Sequence, residues 1–273
     1  MKILVTGAGG NVGSYVVKYL EKKGCSVVAP KGRAEFSFTD RTTWNSTLDG
    51  VSRVFLMRPP HISNIKRDML PFLRFLKERK IEQIVLLSVQ GAENNKLIPH
   101  NKIEKYCRTL ELPYVFLRPS FFMQNLTTTH LEEIRDDNVV YVPSGEGRTN
   151  FIDTEDIGEI AAGLLTHSDL SPRAYTLTGS RSFSHREIAG HLSRGLGREI
   201  RFINPGPLRF IFHHLRTGRT PGMTLVMLAL YTVVKTGKGD VTTDDSRLLL
   251  GRAPVQLDDF IKRNISVLSG KAL

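Results

Sequence analysis

A doubly wound α/β fold, a parallel sheet wrapped by helices, is predicted for this 273-residue chain by three observations. Short apolar runs of strand length alternate with segments of helical period through the first half. A glycine-rich turn stands between the first such run and the first such helix. The strand runs are continuously apolar and β-branched, as strands covered on both faces must be.

The first strand is Lys2-Ile3-Leu4-Val5-Thr6, and it runs directly into Gly7-Ala8-Gly9-Gly10-Asn11-Val12-Gly13. Val12, Val16 and Leu20 then recur four apart, with Val17 beside them, giving an apolar helix face that stops at Gly24. Strand, glycine turn and helix form the front half of a dinucleotide-binding βαβ unit of Rossmann type. The glycines allow a tight turn, close approach to a pyrophosphate and close packing of helix on strand. The first N–H groups and positive dipole end of the helix then face the phosphates. Thr6, Gly7, Gly10, Asn11, Val12 and Gly13 are the expected contacts. The alternative is a glycine-rich turn that holds no ligand.

Ser26-Val27-Val28-Ala29 is the second strand, followed by the loop Pro30-Lys31-Gly32-Arg33. Sites that prefer NAD place Asp or Glu at the end of this strand, against the ribose 2′-hydroxyl. Here the nearest charges are Lys31 and Arg33, which suit a 2′-phosphate. NADPH is therefore the expected cofactor, with NADH as the alternative because Glu35 lies close by.

Further along, Glu35-Phe36-Ser37-Phe38 alternates like a short strand, and Thr42 to Leu48 reads as a brief helix ending near Gly50. Arg53-Val54-Phe55-Leu56-Met57 is a buried strand stopped by Arg58-Pro59-Pro60. Ile65, Met69, Leu70, Leu73 and Leu76 mark a long amphipathic helix. Ile84-Val85-Leu86-Leu87, a helix from His100 to Glu111, and Tyr114-Val115-Phe116-Leu117 continue the alternation. Met57, Arg58, Pro59 and Ser88 fall at the carboxyl ends of strands, where ligand contacts are expected. Beyond Arg118-Pro119 short elements mix: a helix over Phe121 to Arg135, strands at Val139–Val142 and Tyr175–Leu177, and helices over Asp153–Thr166 and Ser184–Leu196. Leu208 to Lys235 is apolar and basic together and reads as helices walling a substrate cleft, with a membrane-surface helix as the competing reading. Residues 1–150 are expected to form the dinucleotide-binding core, and 151–273 the remaining sheet elements with a smaller C-terminal substrate-binding region.

Composition narrows the function classes. A hydrophobic content of 40% suits one large domain, or one domain with an appended subdomain. No apolar stretch is long enough for a membrane span, and the N-terminus opens on a strand rather than a signal peptide. Cys25 and Cys107 fit a reducing, cytoplasmic setting and form neither a disulfide framework nor a metal site; no metal is expected. A net charge of +11 invites a nucleic-acid partner. The basic residues are scattered, however, without a recognition motif, and a solvated basic surface that also attracts an anionic cofactor is preferred.

With these motifs in place, the chain resembles the NmrA-like group of atypical short-chain dehydrogenases/reductases. The resemblance rests on Thr6 to Gly13, Val54-Phe55-Leu56-Met57-Arg58-Pro59-Pro60, Leu87-Ser88 with Gly91-Ala92, and His100 with Glu104. It continues through Leu117-Arg118-Pro119-Ser120-Phe121-Phe122-Met123-Gln124-Asn125, Phe151-Ile152-Asp153-Thr154-Glu155-Asp156-Ile157 and Gly251-Arg252-Ala253-Pro254, and so spans nearly the whole chain. It implies an NAD(P)-binding Rossmann fold with a small substrate region. The family's activities include reduction of quinones, enones and ethers with NADPH, and redox sensing without turnover. The chain departs from the wider superfamily in lacking its Tyr-x-x-x-Lys pair: His100 stands where that Tyr would sit and Glu104 where the Lys would. Ser37 takes the place of a common acidic residue beside adenine, and Lys31 and Arg33 flank the position of a common arginine.

A reductase needs an oriented hydride donor and a proton source near the substrate oxygen. His100, with an ordinary pKa near 6.5, is the expected donor. Glu104, one helical turn on, is expected to orient its ring; Ser88 is expected to hold the substrate oxygen. The alternative for the pair is a structural contact on a helix. Phe121, Phe122 and Asn125 are expected to meet a flat apolar substrate. The leading expectation is an NAD(P)H-dependent oxidoreductase acting on a small apolar carbonyl, quinone or enone. A non-catalytic dinucleotide sensor acting through a protein partner is the second, and sugar-nucleotide epimerisation a more distant third.

Overall fold

A computed structural model describes residues 1–270. The chain passes repeatedly between two compact units, the first comprising residues 1–119, 154–177 and 245–252, the second, among the described residues, 120–153, 178–244 and 253–270. Residues on both sides of position 150 thus enter both units.

Unit 1 opens with β1 (Lys2–Val5), α1 (Gly13–Lys22) and β2 (Ser26–Val28). It continues with α2 (Trp44–Thr47), β3 (Arg53–Met57), α3 (Ile65–Asp68), α4 (Leu70–Glu78), β4 (Gln83–Leu87), α5 (Pro99–Thr109) and β5 (Tyr114–Pro119). The chain then enters unit 2 as β6 (Phe121–Phe122), a 3-10 turn over Met123–Leu126, α6 (Leu131–Arg135), β7 (Val139–Tyr141) and β8 (Arg148–Ile152). It returns to unit 1 for α7 (Thr154–Thr166) and β9 (Arg173–Leu177). Unit 2 resumes with β10 (Ser182–Ser184), α8 (His185–Leu196), β11 (Arg201–Ile203), α9 (Pro207–Arg216) and α10 (Pro221–Lys235). Next, α11 (Asp245–Leu250) belongs to unit 1, and α12 (Leu257–Arg263) and α13 (Ile265–Ser269) to unit 2.

The sheet of unit 1 has six parallel strands in the order β2-β1-β3-β4-β5-β9. The order reverses at β1, so the glycine turn leaves the sheet where α/β folds bind ligands. Ile3, Leu4, Val5, Val54, Phe55, Leu56 and Ile84 to Leu86 are buried, as the unbroken apolar runs predict. In unit 2, β8 lies between antiparallel β10 and parallel β6, and β11 pairs with β7.

Two expected elements differ. Glu35–Phe38 is a turn, not a strand. Its main-chain groups are taken locally: Trp44 Nε1 donates to the Ser37 carbonyl at 2.7 Å, and the Ser37 N–H donates to Thr43 Oγ1 at 3.2 Å. Phe36 and Phe38 instead lock edge-to-face with each other and with Phe72, which also meets Trp44. The expected helix over Phe121–Arg135 is α-helical only over Leu131–Arg135, with a 3-10 turn at Met123–Leu126. Phe121 and Phe122 pair with Phe151 and Ile152, and the β-branched run Thr127-Thr128-Thr129 resists helix. Beside α10, Phe210, Met227 and Tyr231 are core residues and Phe121 lies 6.2 Å, ring to ring, from Tyr231, whereas Phe212 and Met223 are exposed. Among the described residues no helix is long and apolar enough to cross a membrane.

Candidate functional site

The glycine turn is built by β1, β3 and the start of α1. Thr6 ties the two strands: its hydroxyl donates to the Phe55 carbonyl at 3.1 Å and accepts from the Met57 N–H at 2.8 Å. Gly7 then turns the chain at φ +69°, and the Gly10 N–H donates to its carbonyl at 3.0 Å. Gly13 opens α1 pressed against that same carbonyl. A Cβ on Gly13 would lie 2.1 Å from the Gly7 oxygen, a backbone atom with no freedom to yield. Gly9, by contrast, faces open space. The Met57 side chain lies over the turn beside Gly7. No acidic side chain occupies the first turn of α1, so its positive end is left for an anion. This cradle fits a dinucleotide pyrophosphate.

Lys31 and Arg33 are exposed on the loop after β2. Arg33 Nη2 is 3.2 Å from His61 Nε2. Glu35, the carboxylate that could have favoured a 2′-hydroxyl, accepts the Lys31 backbone N–H at 2.9 Å and so caps its own loop. Arg58 donates to the carbonyls of Pro59, Pro60 and Ile62 at 3.0, 3.0 and 2.7 Å, fixing the loop after β3.

The expected His100–Glu104 pair does not form. Glu104 is fully buried on α5 and accepts from Arg118 Nε and Nη2 at 3.0 and 2.6 Å, from Ser88 Oγ at 2.7 Å and from Arg108 Nη2 at 3.1 Å. The reason is electrostatic: Arg118, at the end of β5, brings an opposite charge into the same dry space with bidentate geometry. Burial pushes the Glu104 carboxyl up, but the bonds from Arg118 and Ser88 and the charges of Arg118 and Arg108 outweigh it, holding the group below the usual carboxylate range. Ser88 is buried and its proton is committed to Glu104, so it has none to offer a substrate oxygen.

His100, half-buried in the first turn of α5, has no hydrogen bond to its ring from any described residue. Burial, helped by the Arg58 charge and opposed by Glu104, lowers its pKa to about 4. The ring therefore stays neutral far below pH 7 and does not exchange its proton near working pH as its ordinary value would allow.

In unit 2, Phe121 packs on Phe151 and Tyr231, Phe122 is half-buried, and the Asn125 carbonyl accepts the His130 N–H at 2.9 Å. Two groups escaped the sequence reading. One is Arg118, whose burial at a strand end, which requires a carboxylate partner, shows only in the fold. The second is a cluster of Glu133 with His213 and His214, for which the adjacent histidines were the available signal.

Known proteins resemble this chain both in sequence and in fold. A profile of the NmrA-like family matches residues 39–238. Prestalk A differentiation protein A of Dictyostelium discoideum is 32% identical over 287 aligned residues, covering 99% of this chain and 94% of that protein. An NAD(P)H azoreductase of Xenophilus azovorans is 27% identical over 219 residues, covering 74% and 76%. In fold, the chain is similar to an Escherichia coli NADPH-dependent quinone oxidoreductase solved with NADPH, at a TM-score of 0.86, 17% identity and coverage of 96% and 99%.

Proposed function

Because the chain belongs to the NmrA-like family, we propose that it is an NAD(P)H-dependent reductase of a small apolar carbonyl, quinone, enone or related electron-poor substrate. The observation that carries this reading is the glycine cradle, in which Gly13 meets the Gly7 carbonyl too closely for any side chain and α1 presents an uncompensated positive end. Relatives named as NAD(P)H-dependent reductases support it. Lys31 and Arg33, with Glu35 turned onto its own loop, favour NADPH over NADH.

When bound, the nicotinamide supplies a hydride. The chain's own part is to hold the dinucleotide through Gly7 to Gly13, with Met57, Arg58 and Pro59 as a fixed wall. His100 serves as a neutral N–H donor to a substrate oxygen that gains charge, and water supplies the proton. Ser88 and Glu104 then act through Arg118, keeping the ends of β4 and β5 in place, and touch no substrate.

The non-catalytic sensor is favoured by a separate observation. Glu104, expected to orient the His100 ring, is spent on Arg118, and Ser88, expected to hold the substrate oxygen, is spent on Glu104; the Dictyostelium relative is named for a role in differentiation rather than for a reaction. One experiment separates the two. NADPH oxidation is followed with a panel of quinones, enones, aldehydes and azo compounds, alongside calorimetric titration with NADPH. Turnover of any panel member establishes the reductase; binding without turnover establishes the sensor; absence of binding removes both.

A further inference from the structure

No metal site was expected from the sequence, yet unit 2 gathers one set of ligands. Glu133 Oε1, on α6, lies 3.5 Å from His213 Nε2 and 3.6 Å from His214 Nδ1, both in the last turn of α9. These three ligand atoms all fall within 4.8 Å of one another. Around a tetrahedral zinc with bonds of ~2.0–2.1 Å, ligand atoms stand ~3.3–3.4 Å apart. The two measured edges are within a few tenths of an ångström of that figure.

The histidine nitrogens have no other use. His213 Nε2 and both ring nitrogens of His214 are buried without a hydrogen-bond partner, and His214 is fully buried. Orphaned buried polar atoms are rare and call for an unseen partner. Glu133 Oε1 lacks a hydrogen bond as well, whereas Oε2 is 2.9 Å from His130 Nδ1, and His130 Nε2 meets the Tyr231 hydroxyl. With the carboxylate as acceptor, His130 donates through Nδ1 and accepts from Tyr231 through Nε2. That is the outer hydrogen-bonded shell that orients a metal-binding carboxylate. An opposing charge nearby is Arg219, whose guanidinium is held on the Thr129 carbonyl.

We propose that Glu133, His213 and His214 bind a divalent transition metal of the zinc class, with His130 and Tyr231 as positioning residues. Two nitrogens and one carboxylate oxygen suit zinc better than calcium or magnesium, which seek all-oxygen cages. Three protein ligands leave a fourth position open. His213 is the ligand nearest solvent, its side chain 31% exposed although its Nε2 is buried. Arg219 favours an anionic fourth ligand, such as hydroxide or a small carboxylate. The ion would clasp α6 to the end of α9. All of these residues lie in unit 2, and the site stands whether or not the chain is a reductase.

The test uses the full chain, stripped with chelator and titrated with Zn²⁺ against a chromophoric competitor, then with Co²⁺ for its absorption spectrum. A single equivalent of tightly held zinc is expected, together with an intense Co²⁺ spectrum of tetrahedral type and a higher Tm with zinc. His213→Ala changes the most exposed ligand and should remain folded by circular dichroism; it should lose about a hundredfold or more in affinity, with the Co²⁺ spectrum and the zinc-dependent Tm rise. Tyr231→Phe should lose about tenfold, the scale of an outer-shell change. His167→Ala, at an exposed histidine of unit 1, should bind zinc as the wild type does. Absence of a stoichiometric site in the wild type, or its full retention in folded His213→Ala, would overturn the assignment. Should His213→Ala fail to fold, Glu133→Gln decides in the same way, and an unchanged Tyr231→Phe affinity would remove the outer shell from the proposal.

Discussion

Substituting Glu104→Gln should destabilise unit 1 strongly, because the carboxylate is the shared partner of two arginines in a dry interior. The amide keeps the shape but removes the charge, and its NH2 group turns a donor toward the donors of Arg118. Removing one member of a buried ion pair costs about 3–5 kcal/mol. Two features draw the value toward the lower end. Arg118 keeps Glu93 at 3.3 Å, and Arg108, 44% exposed, can turn to water. A loss of about 3 kcal/mol is expected, which for a chain of this size lowers Tm by roughly 6–12 °C. Urea denaturation followed by fluorescence reads this directly, since the sole tryptophan, Trp44, is buried in unit 1. The dependence on pH has a definite sign. The folded-state pKa of Glu104 lies below its ordinary 4.5, so its contribution is complete above that value and is lost as the pH falls through the folded one. Wild type and variant should therefore converge as acid is added. A variant with the wild-type urea midpoint but a tenfold lower kcat would refute this reasoning and make Glu104 an orienting group for His100.

Other outcomes follow from the cradle and its neighbours. Gly13→Ala, whose Cβ would fall 2.1 Å from the Gly7 carbonyl oxygen, should abolish NADPH binding, while Gly163→Ala, with open space at its Cβ and away from the glycine turn, should leave it intact; fluorescence titration of NADPH tells the two apart. The double change Lys31→Ala, Arg33→Ala should weaken NADPH by about 1–3 kcal/mol and NADH far less, the scale of a charge-assisted phosphate contact; equal losses by calorimetry would place the 2′-phosphate elsewhere. His100, with its pKa lowered to about 4, should give a rate that is flat from pH 5.5 to 8 and declines only in stronger acid, as the imidazolium forms. An inflection near pH 6.5 that disappears in His100→Ala would contradict this. On stability, a depressed histidine adds a contribution that is full above about 6.5 and lost toward about 4, so urea midpoints should fall with acidification across that window.

The Rossmann half was legible because its signals are local. Ile3 to Val5, Val54 to Leu56 and Ile84 to Leu86 are unbroken apolar runs, and strands covered on both faces require them. The glycine turn was legible for a related reason, since contacts between Gly7, Gly10 and Gly13 span only a few residues. What failed was non-local or ambiguous. Phe36 and Phe38 bury alternately, as strand residues do, but a turn that feeds both rings onto Phe72 gives the same pattern. His100 and Glu104 share a helical spacing, but Arg118 enters from β5 and wins the carboxylate. Spacing could not show that competition. The Glu133, His213 and His214 cluster joins helices far apart in the chain, so neither segment announces it alone.

The interleaving of the two units bears on synthesis. The amino-terminal unit takes its last sheet strand, β9, from residues 173–177 and its closing helix from residues 245–250. Asp245 Oδ2 accepts the Thr176 N–H at 2.8 Å, and Arg252 reaches Asp156 at 2.9 Å. A ribosome that has finished β5 must therefore decode more than a hundred further residues before α11 exists, and roughly sixty before β9 covers the edge of β5, a wait of about three to twelve seconds at typical elongation rates. During that interval β5 is a bare sheet edge, an invitation to pair with another nascent chain. Chaperone demand should peak there, and translational pausing between residues 119 and 173 should lower soluble yield more than a pause placed after residue 252.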